Sequence, residues 1–561
     1  MKLTGAQIMM KVLKEEGVDT IFGYPGGAVI DIFDELDKTD IRHVLVRQEA
    51  CAVHAADGYA RAGNRVGVCL VTSGPGATNT VSGIASAYMD SIPVVIFTGQ
   101  VPTHLIGNDA FQEVDTVGIT RPCTKHNYLV KRTEDLARII KEAFLIASSG
   151  RPGPVLVDIP KNVSATAIDY KAPPKATLKS YNPTYTPNVK QLHKVVSLIK
   201  AAKTPMIFAG GGVILSGAAK ELTELARKTQ MPVTTSLMGL GGFPGTDPLW
   251  LGMIGMHGTY RANMCTGECD LLIGIGVRFD DRVTGKTDEF ALKAKIVHID
   301  IDPTSIRKNI PVTAPVVGDC KITLAKLNKL LDKEDLGDLK KTRKKWLDQI
   351  LRWKDTQPLA YKQTDIIKPQ YVVEKLYELT KGKAIITTEV GQNQMWAAQY
   401  YHYDKPNHFI TSGGLGCMGF GLPAAIGAQL ACPDKLVVDI AGDGSIQMNI
   451  QEMTTAVQNN LPVKIVILNN GHLGMVRQWQ ELFFEKRYAA TCLDCAPDFV
   501  KLAEAYGAEG LRATKPEEVE TVLKKGLASK RPVIMDFVVE KEECVYPMVP
   551  AGAPVTEMLL V

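Results

Sequence analysis

The chain has 561 residues, of which 45% are hydrophobic and 22% are charged, an ordinary composition for a globular protein. Because this length exceeds what one hydrophobic core supports, we expect about three or four domains. The 64 basic and 60 acidic residues give a net charge of +4 without a Lys/Arg-rich block, which argues against nucleic acid as a partner. The N-terminal stretch to Gly17 suits an amphipathic helix better than a signal peptide, and no apolar run reaches the roughly 18 residues of a membrane span, so we expect a cytoplasmic protein without a membrane partner.

Residues 1–165 alternate helical patterns with β-rich runs. RVGVCLVTSG, IPVVIFTGQ and GPVLVDIP are typical of buried strands. This alternation predicts a parallel sheet covered by helices. Residues 166–188 are rich in Pro, Lys and Thr and have little apolar periodicity, so we interpret them as a linker.

A second α/β unit is predicted for residues 189–333, with strands in PMIFAGGG, DLLIGIGVRF and AKIVHIDID. Residues 334–367 are strongly charged, and their apolar positions suit a surface helix in a solvated connector. The third unit, residues 368–561, has strand candidates in KAIITTEVG, KLVVDIAGDGS, VKIVILNNG and PVIMDFVV. The predicted fold class is therefore α/β, with three consecutive domains, each built on a central, mostly parallel sheet flanked by helices.

The cysteines do not predict a disulfide framework, because they are eleven in number and scattered through a long chain. Two close pairs exist, Cys265 with Cys269 and Cys492 with Cys495. The second pair, in CLDC, lies in a polar stretch rather than at a helix start after a strand, where a redox motif would stand. We expect reduced thiols without a metal or redox role.

The turn AGDGSIQMN places Asp443 between two glycines directly after the strand candidate KLVVDI. A helix-like stretch and a second strand then lead to Asn469 and Asn470. Because consecutive parallel strands end at one edge of a sheet, Asp443 and the side-chain oxygen of Asn470 could bind one hard cation, Mg²⁺ or Ca²⁺. A lone GDG would favour a structural turn, but the second element, NN at this spacing, favours a cation site.

This GDG and NN pair resembles the signature of thiamine-diphosphate enzymes. The resemblance implies that Mg²⁺ anchors the diphosphate of the cofactor and is bound by Asp443, Asn470 and His472. It also implies cofactor contacts from Gln392, Gly416, Met418, Gly442, Gly444 and Ser445. Met418, in GLGCMGFG, matches the bulky apolar residue that bends the cofactor into its V shape.

Glu49, in RQEACAVHAADGYAR, matches the glutamate that hydrogen-bonds the pyrimidine N1′ of the cofactor in this family. By itself a glutamate near a helix start is more commonly a surface residue. Because Glu49 and Asp443 lie in different predicted domains, the resemblance implies a cofactor at a domain interface, which in this family forms between two subunits. A homodimer is the smallest expected assembly.

Five motifs of the middle unit, AGGGV, SLMGLGG, GMHGTY, GVRFDDRVTGK and HIDIDP, narrow the resemblance. With the rest of the chain, they resemble the acetohydroxyacid synthase (acetolactate synthase) catalytic-subunit family. The resemblance implies a structural FAD near Gly210, Gly211, Gly212, Leu237, Met238, His257, Thr259, Arg278, Asp280, Asp300, Ile301 and Asp319. GKT at residues 285–287 is similar to the end of a Walker loop, but that pattern requires glycine where Asp280 stands, so we reject it.

The same resemblance implies a substrate site. Besides Glu49, it implies catalytic roles for Gly27, Gln112 and Lys125. It implies substrate contacts from Phe111, Arg282, Met475, Val476 and Trp479. In the family the arginine matched by Arg282 grips the carboxylate of the second substrate, a task that suits a forked guanidinium, and the tryptophan matched by Trp479 favours an ethyl over a methyl group. At Glu389 and Asn393 the family commonly has aspartate and histidine.

The implied reaction is the decarboxylation of pyruvate on thiamine diphosphate, followed by ligation of the hydroxyethyl carbanion or enamine to a second 2-oxoacid. Pyruvate as the second substrate gives 2-acetolactate, and 2-oxobutyrate gives 2-aceto-2-hydroxybutyrate, both on the route to branched-chain amino acids. Members of the family pair with a small regulatory subunit, which makes such a subunit a candidate partner.

Particular residues disfavour four alternative functions. A flavin-using, pyruvate oxidase-like enzyme is the nearest alternative, but only a ligase must recognise a second 2-oxoacid, as Arg282 and Trp479 imply. A glyoxylate carboligase lacks the activating glutamate, which is present here as Glu49. The RFDDRVTGK block disfavours a catabolic acetolactate synthase without FAD. Retention of Glu49, Asp443 and Asn470 together disfavours a non-catalytic, nucleotide-binding assembly subunit.

Overall fold

The computed structural model describes residues 1–560, and its architecture is three six-stranded sheets flanked by helices. Every strand pair within these three sheets is parallel. The predicted α/β fold class, with three parallel-sheet units in succession, is confirmed. Within the described range, no helix combines the length and apolarity that crossing a bilayer requires.

The first unit contains strands β1 (Lys2–Thr4), β2 (Thr20–Tyr24), β3 (Arg42–Leu45), β4 (Gly67–Val71), β5 (Val94–Gln100), β6 (His126–Leu129), β7 (Val155–Pro160) and β8 (Ala167–Asp169). Its helices are α1 (Gly5–Glu15), α2 (Ile30–Asp37), α3 (Glu49–Gly63), α4 (Pro75–Asn79), α5 (Val81–Asp90), α6 (Thr116–Thr120), α7 (Thr133–Ser148) and α8 (Lys161–Ala165). The sheet order is β3-β2-β4-β5-β7-β6. β8, at the start of the segment predicted as a linker, pairs antiparallel with β1.

The middle unit contains strands β9 (Pro205–Ala209), β10 (Val233–Thr235), β11 (Trp250–Met253), β12 (Leu271–Ile275), β13 (Lys295–Asp300) and β14 (Ala314–Val317). Its helices are α9 (Val189–Ala201), α10 (Gly211–Leu215), α11 (Ala219–Thr229), α12 (Tyr260–Glu268), α13 (Asp281–Thr284), α14 (Cys320–Leu331) and α15 (Leu339–Thr356). The sheet order is β11-β10-β9-β12-β13-β14.

The third unit contains strands β15 (Ile385–Thr388), β16 (Phe409–Ile410), β17 (Val437–Gly442), β18 (Lys464–Asn469), β19 (Glu509–Ala513) and β20 (Val533–Val538). Its helices are α16 (Pro369–Thr380), α17 (Gln392–Tyr400), α18 (Gly421–Ala431), α19 (Asp443–Ile446), α20 (Glu452–Gln458), α21 (Gly474–Phe483), α22 (Phe499–Ala505) and α23 (Pro516–Ala528). The sheet order is β16-β15-β17-β18-β20-β19. Short 3₁₀ turns lie elsewhere in the chain at Gly27–Val29, Arg121–Cys123, Leu237–Gly239 and Thr287–Glu289.

The first and third units share one hydrophobic core across helices α3 and α18. Two glycines allow the close approach of these helices. A Cβ added at Gly58 would lie 2.2 Å from the carbonyl oxygen of Ala424, and one added at Gly427 would lie 1.9 Å from that of Ala55. Because no side chain can occupy these positions, the two helices pack backbone against backbone.

Helix α15, in the segment predicted as a solvated connector, has one buried face. Its buried residues are Arg343, Trp346 and Ile350. The guanidinium of Arg343 donates to the carbonyl oxygens of Thr229 and of Ile199, which lie at the ends of α11 and α9. The indole of Trp346 donates to the carbonyl oxygen of Pro205 at 3.1 Å. The helix is therefore charged on its outer face and packed on the middle unit by its inner face.

Candidate active site

The ends of strands β17 and β18 bring the two predicted cation ligands together. Gly442 pairs with Leu468 in the parallel register, so Asp443 and Asn470 follow at the same sheet edge. The backbone N–H of Asn470 donates to Oδ1 of Asp443 at 3.3 Å, whereas Oδ2 of Asp443 is buried without a hydrogen-bond partner. Burial raises the pKa of Asp443 to about 7. A buried carboxylate with a free oxygen is the donor that a hard cation requires.

Asn470 and His472 complete this edge. Oδ1 of Asn470 accepts from the backbone N–H of His472 at 3.1 Å, and the imidazole Nδ1 of His472 donates to the carbonyl oxygen of Asn470 at 3.0 Å. Nδ1 of His472 is thus committed to the backbone. Among the described residues no group of three or more His, Cys, Asp or Glu side chains converges as a metal cluster. The edge suits a cation that takes one carboxylate, amide oxygen and phosphate oxygens, as Mg²⁺ does.

A cavity of about 1610 Å³ extends from this edge to the carboxyl edge of the middle sheet. Most of the predicted cofactor and substrate residues line it. They are Gly211, Gly212, Leu237, Met238, His257, Arg278, Asp280, Arg282, Asp300, Ile301, Asp319, Gln392, Gly416, Met418, Gly442, Asp443, Gly444, Ser445, Asn470, His472, Met475, Val476 and Trp479. The edge formed by Asp443, Asn470 and His472, called the cation edge below, therefore shares one cavity with the predicted flavin residues.

At the middle-sheet end, the turn from β9 into α10 touches the turn that follows β12. A Cβ added at Gly212 would lie 2.6 Å from Cα of Gly276, which itself has a φ of +58°. Only glycine fits this contact, and the close approach leaves the backbone of the turn open to the cavity. Asp300, at the end of β13, is buried, and burial raises its pKa to about 6.

His257 is also buried in the cavity wall, and its Nδ1 lies 3.2 Å from the carbonyl oxygen of Pro547. Burial lowers the pKa of His257 to about 4, so the ring is neutral at pH 7 and Nδ1 donates to that carbonyl. Two predicted flavin residues lie behind the wall. Gly210 approaches Gly276, and Thr259 caps α12 by accepting from the N–H of Ala262 at 3.3 Å.

Helix α21 carries the predicted pocket residues on its cavity face. Met475, Val476 and Trp479 are spaced so that they share that face, and Trp479 stacks edge to face on Phe483 with ring centroids 5.8 Å apart. Arg282 faces the same cavity from the middle unit, with its nearest carboxylate oxygen, on Asp281, 3.7 Å away. The guanidinium of Arg282 is exposed, so it is available to a carboxylate ligand.

The two departures from the family pattern are buried beneath the cation edge. Glu389 accepts from the backbone N–H groups of Gly419, at 2.6 Å, and Leu422, at 3.2 Å, and burial raises its pKa to about 8. The amide of Asn393 donates to the carbonyl oxygens of Glu389, at 3.0 Å, and Ile440, at 2.8 Å. Both side chains therefore bind backbone groups.

Glu49 does not line the cavity. It begins α3 at the carboxyl edge of the first sheet, is half-buried, and accepts from the amide of Asn79 at 2.8 Å. The loop after β4 gathers other predicted residues at this edge, because a Cβ at Gly76 would lie 3.5 Å from Oε1 of Glu49 and one at Gly74 would lie 2.8 Å from the carbonyl oxygen of Gln112. Glu49 and Gln112 thus lie at a surface of the chain separate from the cavity.

Comparisons with known proteins find matches in all three units of the fold. Three family models match: "Thiamine pyrophosphate enzyme, N-terminal TPP binding domain" at residues 3–119, the central domain at residues 192–327, and the C-terminal TPP binding domain at residues 389–537. The acetolactate synthase large subunit of Haemophilus influenzae is 49% identical over 100% of this chain and 98% of its own length. The isozyme 3 large subunit of Escherichia coli is 50% identical with the same coverage, and a probable large subunit of Methanococcus aeolicus is 47% identical over 99% of this chain and 95% of its own.

The chain belongs to the acetolactate synthase large-subunit family. The predicted family membership is confirmed over the whole length of the chain.

Several predicted residues of this acetolactate synthase family member lie outside the cavity. Phe111 is 88% exposed, and Gly27 lies in the turn after β2, where its carbonyl oxygen accepts from Lys161 at 3.1 Å. Lys125 donates to the carbonyl oxygens of Ile146 and Ser149 at the end of α7, and burial lowers its pKa to about 8. The ammonium of Lys125 is committed to a helix end within this chain.

Sequence reasoning missed Asp90, a buried polar residue of the cavity wall. Its buried carboxylate accepts from the backbone N–H groups of Gly413, at 3.1 Å, and Gly414, at 2.7 Å, and pairs with Arg61 at 3.1 Å. These glycines lead into the loop that contains Met418. Because Asp90 and Gly414 are 324 positions apart in the chain, no local pattern indicates the contact.

Proposed function

We propose that the protein is an acetolactate synthase, which joins two 2-oxoacid molecules and releases CO₂. Two pyruvate molecules would give 2-acetolactate, and pyruvate with 2-oxobutyrate would give 2-aceto-2-hydroxybutyrate. The observation that carries the proposal is the free buried oxygen of Asp443 beside Asn470 in a cavity that also contains Arg282 and Trp479. The full-length similarity to acetolactate synthase large subunits supports it. Cytoplasmic location stays a prediction.

The residues at the third-sheet edge fit Mg²⁺ and a diphosphate. Asp443 would supply a carboxylate oxygen, Asn470 an amide oxygen and His472 a further contact. A Cβ at Gly444 would meet Leu473 at 2.7 Å, so glycine keeps the turn open beside the cation. When bound, thiamine diphosphate supplies the electron sink that makes decarboxylation of a 2-oxoacid possible. Gly416, Met418, Gly442 and Ser445, which line the same cavity, would also contact the cofactor.

The middle-sheet end of the cavity fits FAD. Glycine turns after β9 and β12 leave backbone exposed, and Asp300 and Asp319 follow strands where an acidic side chain accepts from ligand hydroxyls. The ligation involves no net oxidation or reduction of a flavin, so bound FAD would have a structural role. Arg278 and the neutral His257, both in the cavity wall, would supply polar contacts to it.

The guanidinium of Arg282 and the indole of Trp479 would hold the second 2-oxoacid. The exposed guanidinium of Arg282 would orient the substrate carboxylate through paired N–H donors. Trp479, stacked on Phe483, would set the size of the pocket for the substrate alkyl group. Both groups face the cavity from separate units, so the substrate would be gripped between them.

We further propose a homodimer in which one copy supplies Glu49 to the cavity of the other. Glu49 and Gln112 lie beside the loop after β4, and Gly27 follows the neighbouring strand β2, so all three lie at the carboxyl edge of the first sheet and outside the cavity of their own chain. In the dimer, Glu49 would hold or release a proton at the pyrimidine N1′ of the cofactor. Mixing inactive Glu49→Gln and Asp443→Asn chains is expected to restore part of the activity, because one of the two mixed sites regains both groups. No recovery in chains shown to exchange would refute the shared site.

A small regulatory subunit is proposed as a further partner, because the relatives are named large subunits. The purified chain is expected to synthesise acetolactate without valine inhibition until such a subunit is added. Valine inhibition of the chain alone would refute the assignment of this inhibition to a separate subunit.

One assay tests the main proposal. Purified protein is incubated with pyruvate, thiamine diphosphate, Mg²⁺ and FAD, and acetolactate is measured. Wild type and Glu520→Gln, an exposed control on α23, are expected to form product, whereas Glu49→Gln and Asp443→Asn are expected to lose at least about 100-fold in rate. Absence of product with wild type, or full activity of Asp443→Asn, would contradict the proposal.

The flavin-using oxidase alternative makes the opposite prediction for the same sample. Without oxygen, pyruvate would bleach the flavin absorbance in step with turnover. A ligase is expected to turn over with the flavin spectrum unchanged.

A further inference from the structure

A chain of buried amides begins at the backbone of Val545 and ends at the cation edge. The N–H of Val545 donates to Oε1 of Gln478 at 2.8 Å, and Nε2 of Gln478 donates to the carbonyl oxygen of Val545 at 3.0 Å. A backbone N–H only donates and a backbone carbonyl only accepts. The amide of Gln478 therefore has a single orientation, set by the main chain.

Gln392 receives its orientation from Gln478. Its Nε2 donates to Oε1 of Gln478 and to the carbonyl oxygen of Glu543, both at 2.9 Å. Both amide hydrogens of Gln392 are used in these bonds, which leaves only its oxygen free to interact. That oxygen accepts from Nδ2 of Asn470 at 3.1 Å.

The last member of the chain is Asn470 itself. Because Nδ2 of Asn470 is bound to Gln392, Oδ1 is the atom that remains for other partners, and it accepts from the N–H of His472. Asn470, Gln392 and Gln478 are at most 5% exposed. Water therefore does not compete for these bonds, and a reversed amide would set two acceptors or two donors against each other.

We propose that Gln478 and Gln392 are positioning residues for the cation site, which fix the amide of Asn470 with its oxygen available to Mg²⁺. The inference rests on the proposed function, in which Asn470 is a Mg²⁺ ligand. It gives the side chain of Gln392 a role through Asn470 instead of a direct bond to the diphosphate, because neither hydrogen of the side-chain amide is left to donate.

Gly474 provides the space in which the two amides meet. A Cβ at this position would lie 2.1 Å from Oε1 of Gln392 and 2.7 Å from Nδ2 of Asn470. Gly474 begins helix α21, and Gln478 lies one turn further along the same helix. The helix that carries the predicted substrate residues thus also holds the orientation of the cation ligand.

The test measures cofactor binding rather than turnover. Thiamine diphosphate is titrated by calorimetry at a series of free Mg²⁺ concentrations, which gives the Mg²⁺ concentration for half-maximal binding. Gln478→Leu, Gln392→Leu and Gly474→Ala are each expected to need about 10- to 100-fold more Mg²⁺, the usual loss when a partner of a metal ligand is removed. Gly474→Ala removes no hydrogen-bonding group, so it separates orientation from lost bonds.

Two further variants distinguish positioning from a general structural role. Gln399, also buried on α17, donates to the carbonyl oxygens of His257, at 3.0 Å, and Tyr546, at 3.2 Å, without a link to Asn470. Gln399→Leu is expected to lower the thermal midpoint but keep the Mg²⁺ requirement within about threefold. Burial keeps the carboxyl of Gln478→Glu protonated, so it still accepts from Val545 and Gln392 and its O–H can donate to the carbonyl oxygen of Val545; this variant is expected to restore most of the Mg²⁺ affinity lost in Gln478→Leu.

The outcomes separate this inference from the proposed function. Gln392→Leu and Gly474→Ala with a wild-type Mg²⁺ requirement would overturn the inference, provided that Asp443→Asn loses Mg²⁺-dependent binding. Equal losses in Gln399→Leu and Gln392→Leu would also overturn it. If Asp443→Asn binds as wild type does, the proposed cation site itself is wrong, and the inference fails with it. Should Gln478→Leu not fold, the other two variants decide.

Discussion

Replacing Asp90 by asparagine is expected to weaken the binding of thiamine diphosphate, because Asp90 holds the loop that leads to Met418. The buried carboxylate accepts from the N–H groups of Gly413 and Gly414 and from Arg61, at distances of 2.7 to 3.1 Å. Asparagine has nearly the same volume but replaces one acceptor oxygen by an NH₂ group. At least one of the three donors is then left facing another donor.

The magnitude follows from burial. Removing one partner of a buried ion pair costs about 3–5 kcal/mol, and a buried donor without an acceptor costs about 1–3 kcal/mol. Because Asp57 still neutralises Arg61 through an ion pair of 2.6 Å, we expect the lower value, about 3 kcal/mol. Binding of thiamine diphosphate must restore the order of this loop, so the lost free energy weakens binding. At about 1.4 kcal/mol for each factor of ten, the complex with thiamine diphosphate becomes roughly 10- to 100-fold weaker.

The assay is a calorimetric titration of thiamine diphosphate at saturating Mg²⁺, with thermal unfolding of the free protein beside it. Asp57→Asn is the matched control, because Asp57 binds the same Arg61 but does not touch the loop. The control is expected to unfold at a lower temperature and to bind within about threefold of wild type. The reasoning is refuted if Asp90→Asn also binds within threefold, or if both variants weaken binding equally.

Three further outcomes are expected. Trp479→Leu should lower the ratio of 2-aceto-2-hydroxybutyrate to 2-acetolactate by about tenfold in a competition of the two second substrates, since one methylene contact is worth about that factor. Arg282→Gln should raise KM for the second 2-oxoacid by at least about tenfold and leave the calorimetric affinity for thiamine diphosphate unchanged. His54, buried against Phe420, has its pKa lowered by burial to about 4, below the ordinary value near 6.5, so the folded state binds fewer protons between these pH values. Stability that is present above pH 6.5 is therefore lost as the pH falls toward 4, by up to about 3 kcal/mol. The thermal midpoint of His54→Phe should accordingly change less between pH 7 and 5 than that of wild type.

Strands with continuous β-branched and aliphatic residues were predictable from sequence. IPVVIFTGQ and VKIVILNNG form β5 and β18, because a central parallel strand is buried on both faces and needs apolar residues throughout. Edge strands were not: β3, β6 and β19 contain RHVL, HNYL and EGLRA, whose polar residues resemble loops. Their strand conformation comes from pairing with a neighbour, which a local pattern does not contain.

The cation edge was predictable because the parallel crossover rule places the ends of β17 and β18 together. The amide chain from Val545 to Asn470 was not, because its members lie on four segments that only the tertiary fold brings together. A buried glutamine in a helix has no sequence signature that distinguishes it from a surface one. Hydrogen-bond partners, and hence amide orientation, follow only from the packed structure.

Helix α15 bears on how the middle unit could be produced as a separate recombinant domain. Cutting the gene after α14 would strip Arg343 from the helix-end carbonyls of Ile199 and Thr229, and Trp346 from Pro205. The newly bared groove would be apolar and lined by unsatisfied acceptors, a surface prone to aggregation. A fragment that runs to Thr356 keeps helix α15 packed over this groove. The practical C-terminal boundary of the middle unit therefore lies after α15.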